Sequence, residues 1–446
     1  MHARFLSAPD LDGTFDYFSN ILTLLQYTEA DSAEIHAAIN WKSGEPMDRR
    51  MLKIRALVYH EITHFLDLHT TFWGHQYLVR KLNFAQSLTR DLPDVDDRLA
   101  VFAVETGEID IHKELIVEGT LPPTACKRLT HQLQYEEKFG VVLIINYCSG
   151  DTVHHQVPLS TLSLLEAHAT ANEFLSILEY AKTIDDPVDA AIINRETRES
   201  FDDLLNDVSR IEYSVLLSLT RIHFPEIDLK SLMSMISTLA RFSLDATFFR
   251  IGIIANRIEE TFSNRSLGHF LSMELRRDSQ RALIFFKTVL FMYEWKEWLS
   301  KEEKDIYLAL VGDDPHAAIV EMWVKYKGMD VEDFDDRFDF LFEGALERLG
   351  NYKSTLCDAV LSAENLQNRK IIGNRAIGSI DLPSLKLIDM VLHDGTIVKA
   401  PNSINFDVET YFDINMELFS RMERRYREYR GKRIHMPPDT VEYFHF

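Results

Sequence analysis

The longest uninterrupted helical period in the chain runs through residues 51–73. Leu52, Ile54, Leu57, Val58, Ile62, Phe65, Leu66 and Leu68 fall mostly at intervals of three and four, which gathers them on one side of a helix. Neither Gly nor Pro interrupts it, and Gly74 offers a stop. Ahead of it, residues 14–27 follow an Asp12-Gly13 turn and read as an amphipathic helix. Residues 34–41 alternate Ile35, Ala37, Ile39 and Trp41 against polar or small neighbours, which predicts a short strand, and 42–50 predict a loop around Gly44 and Pro46. Residues 98–118 read as helical, and 124–138 as a helix ending before Gly140. The apolar, β-branched 141–147 predict a strand, Gly150-Asp151 a turn and 152–157 the returning strand. Ser160 is then the N-cap of a helix over 161–181 that carries Leu162, Leu165, Ala169, Phe174 and Leu178.

Asp185-Asp186-Pro187 marks a boundary. Helical periods continue over 200–221, 229–262, 279–300, 315–326 and 334–362, with breaks at Pro225 and at 312–315. From 371 to 406 Ile, Val and Gly sit among turns such as His393-Asp394-Gly395, which predicts a small β-containing piece before a last helix from 408 to about 430. No repeat of fixed period is present, so a solenoid is not supported. The expected fold is α+β and mostly helical. A domain over 1–185 holds a small β-sheet, 186–366 form a large helical region, and 367–446 form a small α/β segment.

Composition changes this picture little: 446 residues, 46% hydrophobic and 26% charged, describe an ordinary globular chain with a sizeable core. Charge changes it more. A net −22 sets the chain against nucleic acid and anionic membranes as primary partners, because both would repel it. The basic stretch 421–433 interleaves Glu and Tyr among its Arg residues and reads as one face of the last helix. Three scattered cysteines, Cys126, Cys148 and Cys357, make neither a disulfide framework nor a Cys-rich zinc site. Residues 1–10 lack the pattern of a signal peptide, and the longest clean apolar run, 141–145, is far too short to span a bilayer, so the expected location is cytoplasmic.

The chemistry lies in the first long helix, as His60-Glu61-Ile62-Thr63-His64. A helix turns 100° per residue, so His60 and His64 stack on one face and can converge on one zinc ion, with Glu61 beside them as candidate general base. The bland alternative is a core helix whose histidines are satisfied by hydrogen bonds. Strand, loop and H-E-x-x-H helix in this order resemble the core of the zincin metallopeptidases, in which an edge strand lies over the substrate cleft. The resemblance covers residues 34–75. It implies a catalytic domain within 1–185, Zn2+ as cofactor and a peptide or protein as substrate.

Such a zinc needs a third protein ligand. In the metzincin branch the positions after the motif would be Gly and His, and here they are Asp67 and Thr70. The gluzincin branch takes a Glu from a later helix, which implies Glu166, flanked by the small Ala167, Ala169 and Thr170. Glu173, seven residues on along the same face, Glu118 and Asp67 are the alternatives, Glu173 and Asp67 also as carboxylates that orient a ligand. His69 and His168 point away from the ligand face. Tyr147, His154, His155 and Tyr180 are available to stabilise an oxyanion, and the sequence does not choose among them. The expected activity is zinc-dependent peptide hydrolysis. The rivals are a metallopeptidase-like interaction or regulatory protein without turnover, and a zinc hydrolase of a non-peptide amide.

Overall fold

A computed structural model describes residues 12–429 apart from 43, 107, 137–138, 300–311, 313, 335–338, 351–356 and 406. Residues 430–433 of the basic stretch and the start of the chain, on which the signal-peptide expectation rested, lie outside the described residues. The described chain is mostly helical with two small sheets. It divides into two compact units, each assembled from distant segments: Met1–Thr106, Ala169–Arg195 and Asp339–Gly431 form one, and Gly107–His168, Glu196–Phe338 and Lys432–Phe446 the other. Among the described residues no helix is long and apolar enough to cross a membrane.

The first unit is built around helix α2 (Arg49–Thr70), which follows strands β1 (Gly13–Asp16) and β2 (Ile21–Leu24) and helix α1 (Ser32–Ile39). Asp48 caps α2 by accepting from the Met51 amide at 2.8 Å, a contact worth about 1 kcal/mol. From Val58 to Thr70 every residue of α2 is buried, polar ones included, so this is a central helix and not a surface one with a single apolar stripe. Thr71 ends it and caps α3 (Phe72–Thr89) in the same stroke, its hydroxyl accepting from the Gly74 amide at 3.1 Å. Gly74 is therefore no helix stop. It lies inside α3, where a Cβ would stand 2.2 Å from the Leu68 carbonyl oxygen, so only glycine lets α3 turn this tightly off α2.

Two expectations near the N-terminus are corrected. Residues 14–27 form a hairpin, with β1 and β2 antiparallel in the register Thr14↔Thr23 and Phe15↔Leu22. Its turn defeats the helix: the Asp16 carboxylate accepts from the Phe18 amide at 3.0 Å and the Ser19 hydroxyl at 2.6 Å, and Asn20 is left-handed at φ 58°. Residues 34–41 are not a strand, since 32–39 are α1. There Ile35, Ala38 and Ile39 are buried at helical spacing, and alanine-rich sequence favours that period over the alternation. Both α1 and β1 pack on α2, so the strand beside the motif helix is β1 and residues 34–41 meet it as helix.

The C-terminal segments complete this unit. After α14 (Asp339–Gly350), α15 (Asp358–Glu364) and α16 (Leu366–Ile372) come the short strands β6 (Met390–Leu392) and β7 (Ile397–Val398). β6 lies parallel to β2, giving the sheet order β1-β2-β6-β7. The last helix, α17 (Val408–Tyr429), seats its basic face as the composition suggests. Arg421 donates to the Leu88 carbonyl at 2.9 Å, and Arg425 pairs with Asp96 at 2.7 Å on α4 (Val95–Thr106).

In the second unit α5 (Glu108–Leu115) precedes an antiparallel sheet of β3 (Arg128–Glu136), β4 (Gly140–Ser149) and β5 (Thr152–Pro158). Residues 128–136 are thus strand where the sequence predicts a helix over 124–138, and 137–138 lie outside the described residues. Leu133 pairs with Leu143, and β4, the centre strand, buried in all but its last residue, holds its partner extended over local propensity. The 141–147 and 152–157 strands are as expected. The left-handed Gly140 (φ 76°) opens β4 at the β3–β4 connection, and Gly150 (φ 60°) lies in the turn between β4 and β5. Helices α8 (Ile211–His223), α9 (Leu229–Leu244) and α12 (Ala282–Trp298) pack in the same unit.

Candidate metal centre

Helix α6 (Thr161–Ala181) runs unbroken over the span the sequence predicts. Ser160 caps it, accepting from the Ser163 amide at 3.1 Å. The Ser160 hydroxyl also lies 2.6 Å from Nε2 of His112 on α5, whose pKa burial pushes down to about 4, so this ring is neutral. Further along α6, Asn172 accepts from the Gly378 amide at 2.9 Å, and Tyr180 both donates to and accepts from the Met47 backbone at 2.9 Å. The helix is fixed at several points along its length.

Glu173 lies in the part of α6 that belongs to the α2 unit, and its carboxylate is 3.0 Å from Nδ1 of His60. Glu166 is seven residues earlier on the same unbroken helix, hence on the same face two turns back. One ligand atom each from His60, His64 and Glu166 lies within 4.8 Å of the others, and the three residues are 5%, 4% and 7% exposed. Nδ1 of His64 is in turn 2.8 Å from the hydroxyl of Tyr17, in the β1–β2 turn. Both imidazoles therefore have Nδ1 engaged by a neighbour, which orients each ring, and Nε2 is the nitrogen each would offer to an ion. Two imidazoles and one carboxylate in a buried place suit a divalent metal of zinc's class, and a cation complements the charge of Glu166 and Glu61.

Glu61 is 2% exposed and lies against β1. A Cβ on Gly13 would stand 2.6 Å from its Oε1, so the strand touches the carboxylate through bare backbone. Of the other sequence candidates, Asp67 is fully buried outside the three-residue group, with its carbonyl taking the Thr71 hydroxyl at 2.6 Å. Glu118 is exposed and also outside it. His69 is hydrogen-bonded through both nitrogens, to Ser362 at 2.9 Å and Asn20 at 2.8 Å, and His168 is buried outside the group. His155 spends its ring on the Gly119 amide and the Leu121 carbonyl, and Tyr147 packs edge-on to it. Tyr180 is committed to Met47.

Three residues near the centre carry no sequence signal that links them to it: Gly13, Tyr17 and Glu212. Glu212 on α8 has its pKa raised, by burial first and then by the negative charges of Glu118 and Glu166. No protein-family model matches the chain, and no curated protein or solved structure is found to be similar to it.

Proposed function

We propose that the protein is a zinc-dependent peptide hydrolase of zincin type, with His60, His64 and Glu166 as metal ligands. The observation that carries this reading is the convergence of those three side chains within 4.8 Å, from two helices, around a motif whose glutamate adjoins the first histidine. Bound there, zinc supplies a Lewis acid for the scissile carbonyl and lowers the pKa of its water toward about 7. Glu61 would be the base, its carboxylate accepting a proton from the attacking water and returning it to the leaving amine. Glu173 accepts Nδ1–H of His60, and the Tyr17 oxygen accepts Nδ1–H of His64, so each ring presents its Nε2 lone pair.

Elemental analysis of the purified protein is the test, with one zinc per chain expected and His60→Ala or His64→Ala expected to abolish it. Full zinc in both variants would sink the assignment. A second reading, a metallopeptidase-like binding protein without turnover, is favoured by the enclosure of Glu61 under Gly13. Stoichiometric zinc with no hydrolysis of any peptide or other amide would select it.

A further inference from the structure

The hairpin over α2 has a lock of its own. In its turn Asn20 donates to Oδ1 of Asp358 on α15 at 2.7 Å, and the same oxygen takes Nζ of Lys81 from α3 at 2.9 Å. Nε2 of His69, near the end of α2, lies 2.8 Å from Oδ1 of Asn20, and Ser362 meets the other ring nitrogen at 2.9 Å. Since an amide oxygen only accepts, His69 donates to Asn20 and takes the proton of Ser362. Asn20, His69, Lys81, Asp358 and Ser362 are all 0% exposed.

So many fully buried polar groups are a poor way to gain stability, because well-packed apolar side chains of similar volume would do as well. What the network supplies is geometry. It fixes a turn residue that is left-handed, three positions after Tyr17, and a slip of one residue in this hairpin would carry Tyr17 away from His64.

We propose that Asn20 is a positioning residue of the metal centre: the His69–Asn20–Asp358–Lys81 network sets the turn that delivers the Tyr17 hydroxyl to Nδ1 of His64, and through it the metal affinity. The inference rests on His64 being a ligand. Removing an outer partner of a metal-bound imidazole weakens binding about 10–100-fold.

The test is a double-mutant cycle on the full chain, read by zinc competition against a chromophoric chelator and by the visible spectrum of the cobalt(II)-loaded protein. Tyr17→Phe deletes the hydroxyl, and Asn20→Gly deletes the amide while keeping a residue at ease with positive φ. Each should weaken zinc about 10–100-fold and alter the cobalt band, and the double variant should be no weaker than Tyr17→Phe alone. Wild-type affinity in Asn20→Gly, or a double variant whose loss is the product of the two single losses, overturns the inference. If Asn20→Gly does not fold, Ser362→Ala takes its place in the cycle, and no weakening or an additive one is again fatal. Failure of the ligand assignment looks different, since His64→Ala then binds zinc as wild type does.

Discussion

The middle and the end of helix α2 both carry buried histidine, and the two places use it in opposite ways. At the middle, His60 and His64 each have Nδ1 held by a partner, Glu173 and Tyr17, and their rings sit 5.1 Å apart beside Glu166. At the end, His69 has both nitrogens engaged by neutral groups, Ser362 and Asn20, and no nitrogen remains to bind an ion. The residue type is the same, and so is the burial. What separates a proposed metal ligand from a structural histidine here is how many ring nitrogens the neighbours occupy.

The sharpest contrast comes from Glu61, the one residue of the middle region whose proposed role is chemical. Glu61→Gln is nearly isosteric and cannot take a proton, so hydrolysis should fall about 10²–10⁴-fold while one zinc stays bound. Unchanged turnover would remove the base from the middle region. At the other end, Lys81→Met leaves the Asp358 carboxylate buried without its ammonium and should cost about 3–5 kcal/mol in denaturant unfolding, with zinc still bound by the folded fraction. A loss under about 1 kcal/mol would mean that the pair contributes no more than a surface ion pair does.

Glu173→Gln tests the middle more gently. The amide still accepts from Nδ1 of His60 but carries no charge, and zinc affinity should drop about 10–100-fold without loss of stoichiometry. The smallest effect concerns acid. Burial first, then His75 and Lys81, hold the pKa of His69 well below 6.5 in the folded protein. The unfolded chain therefore binds a proton that the folded chain refuses. Stability is level above 6.5 and falls as pH drops below it, until the lower folded value is reached. His69→Gln should flatten that slope in urea titrations of the metal-free protein, and an unchanged slope would assign it to other groups.

How much of this could be read in the sequence depends on the range of the interaction. Helix α6 and strands β4 and β5 were legible because their periods are long and their caps and turns local, as with Ser160 and Gly150. The motif helix was legible too, but not its end, because Gly74 answers to the Leu68 carbonyl on the neighbouring helix and not to its own. Short segments misled: Ile35 and Ile39 fit either period in 34–41, and the Asx turn at Asp16 outweighed an amphipathic pattern in 14–27. Glu166 and Glu173 share one face, which the spacing gives, but only the fold separates them, one in the three-residue group and the other on Nδ1 of His60. Tyr17 and Asn20 could not be found at all, since their partners sit 47 and 338 positions away.

That last separation bears on the order of synthesis. The hairpin is made well before its lock, Asp358, which lies 338 positions after Asn20, and before its sheet neighbour, β6. A nascent chain has its H-E-x-x-H helix long before it has the groups that fix Tyr17, and contacts of such long range are slow to form. Maturation of the proposed metal centre is thereby tied to synthesis of the chain through Asp358 and β6. A chain released before residue 358 would carry the motif without the means to hold it in shape.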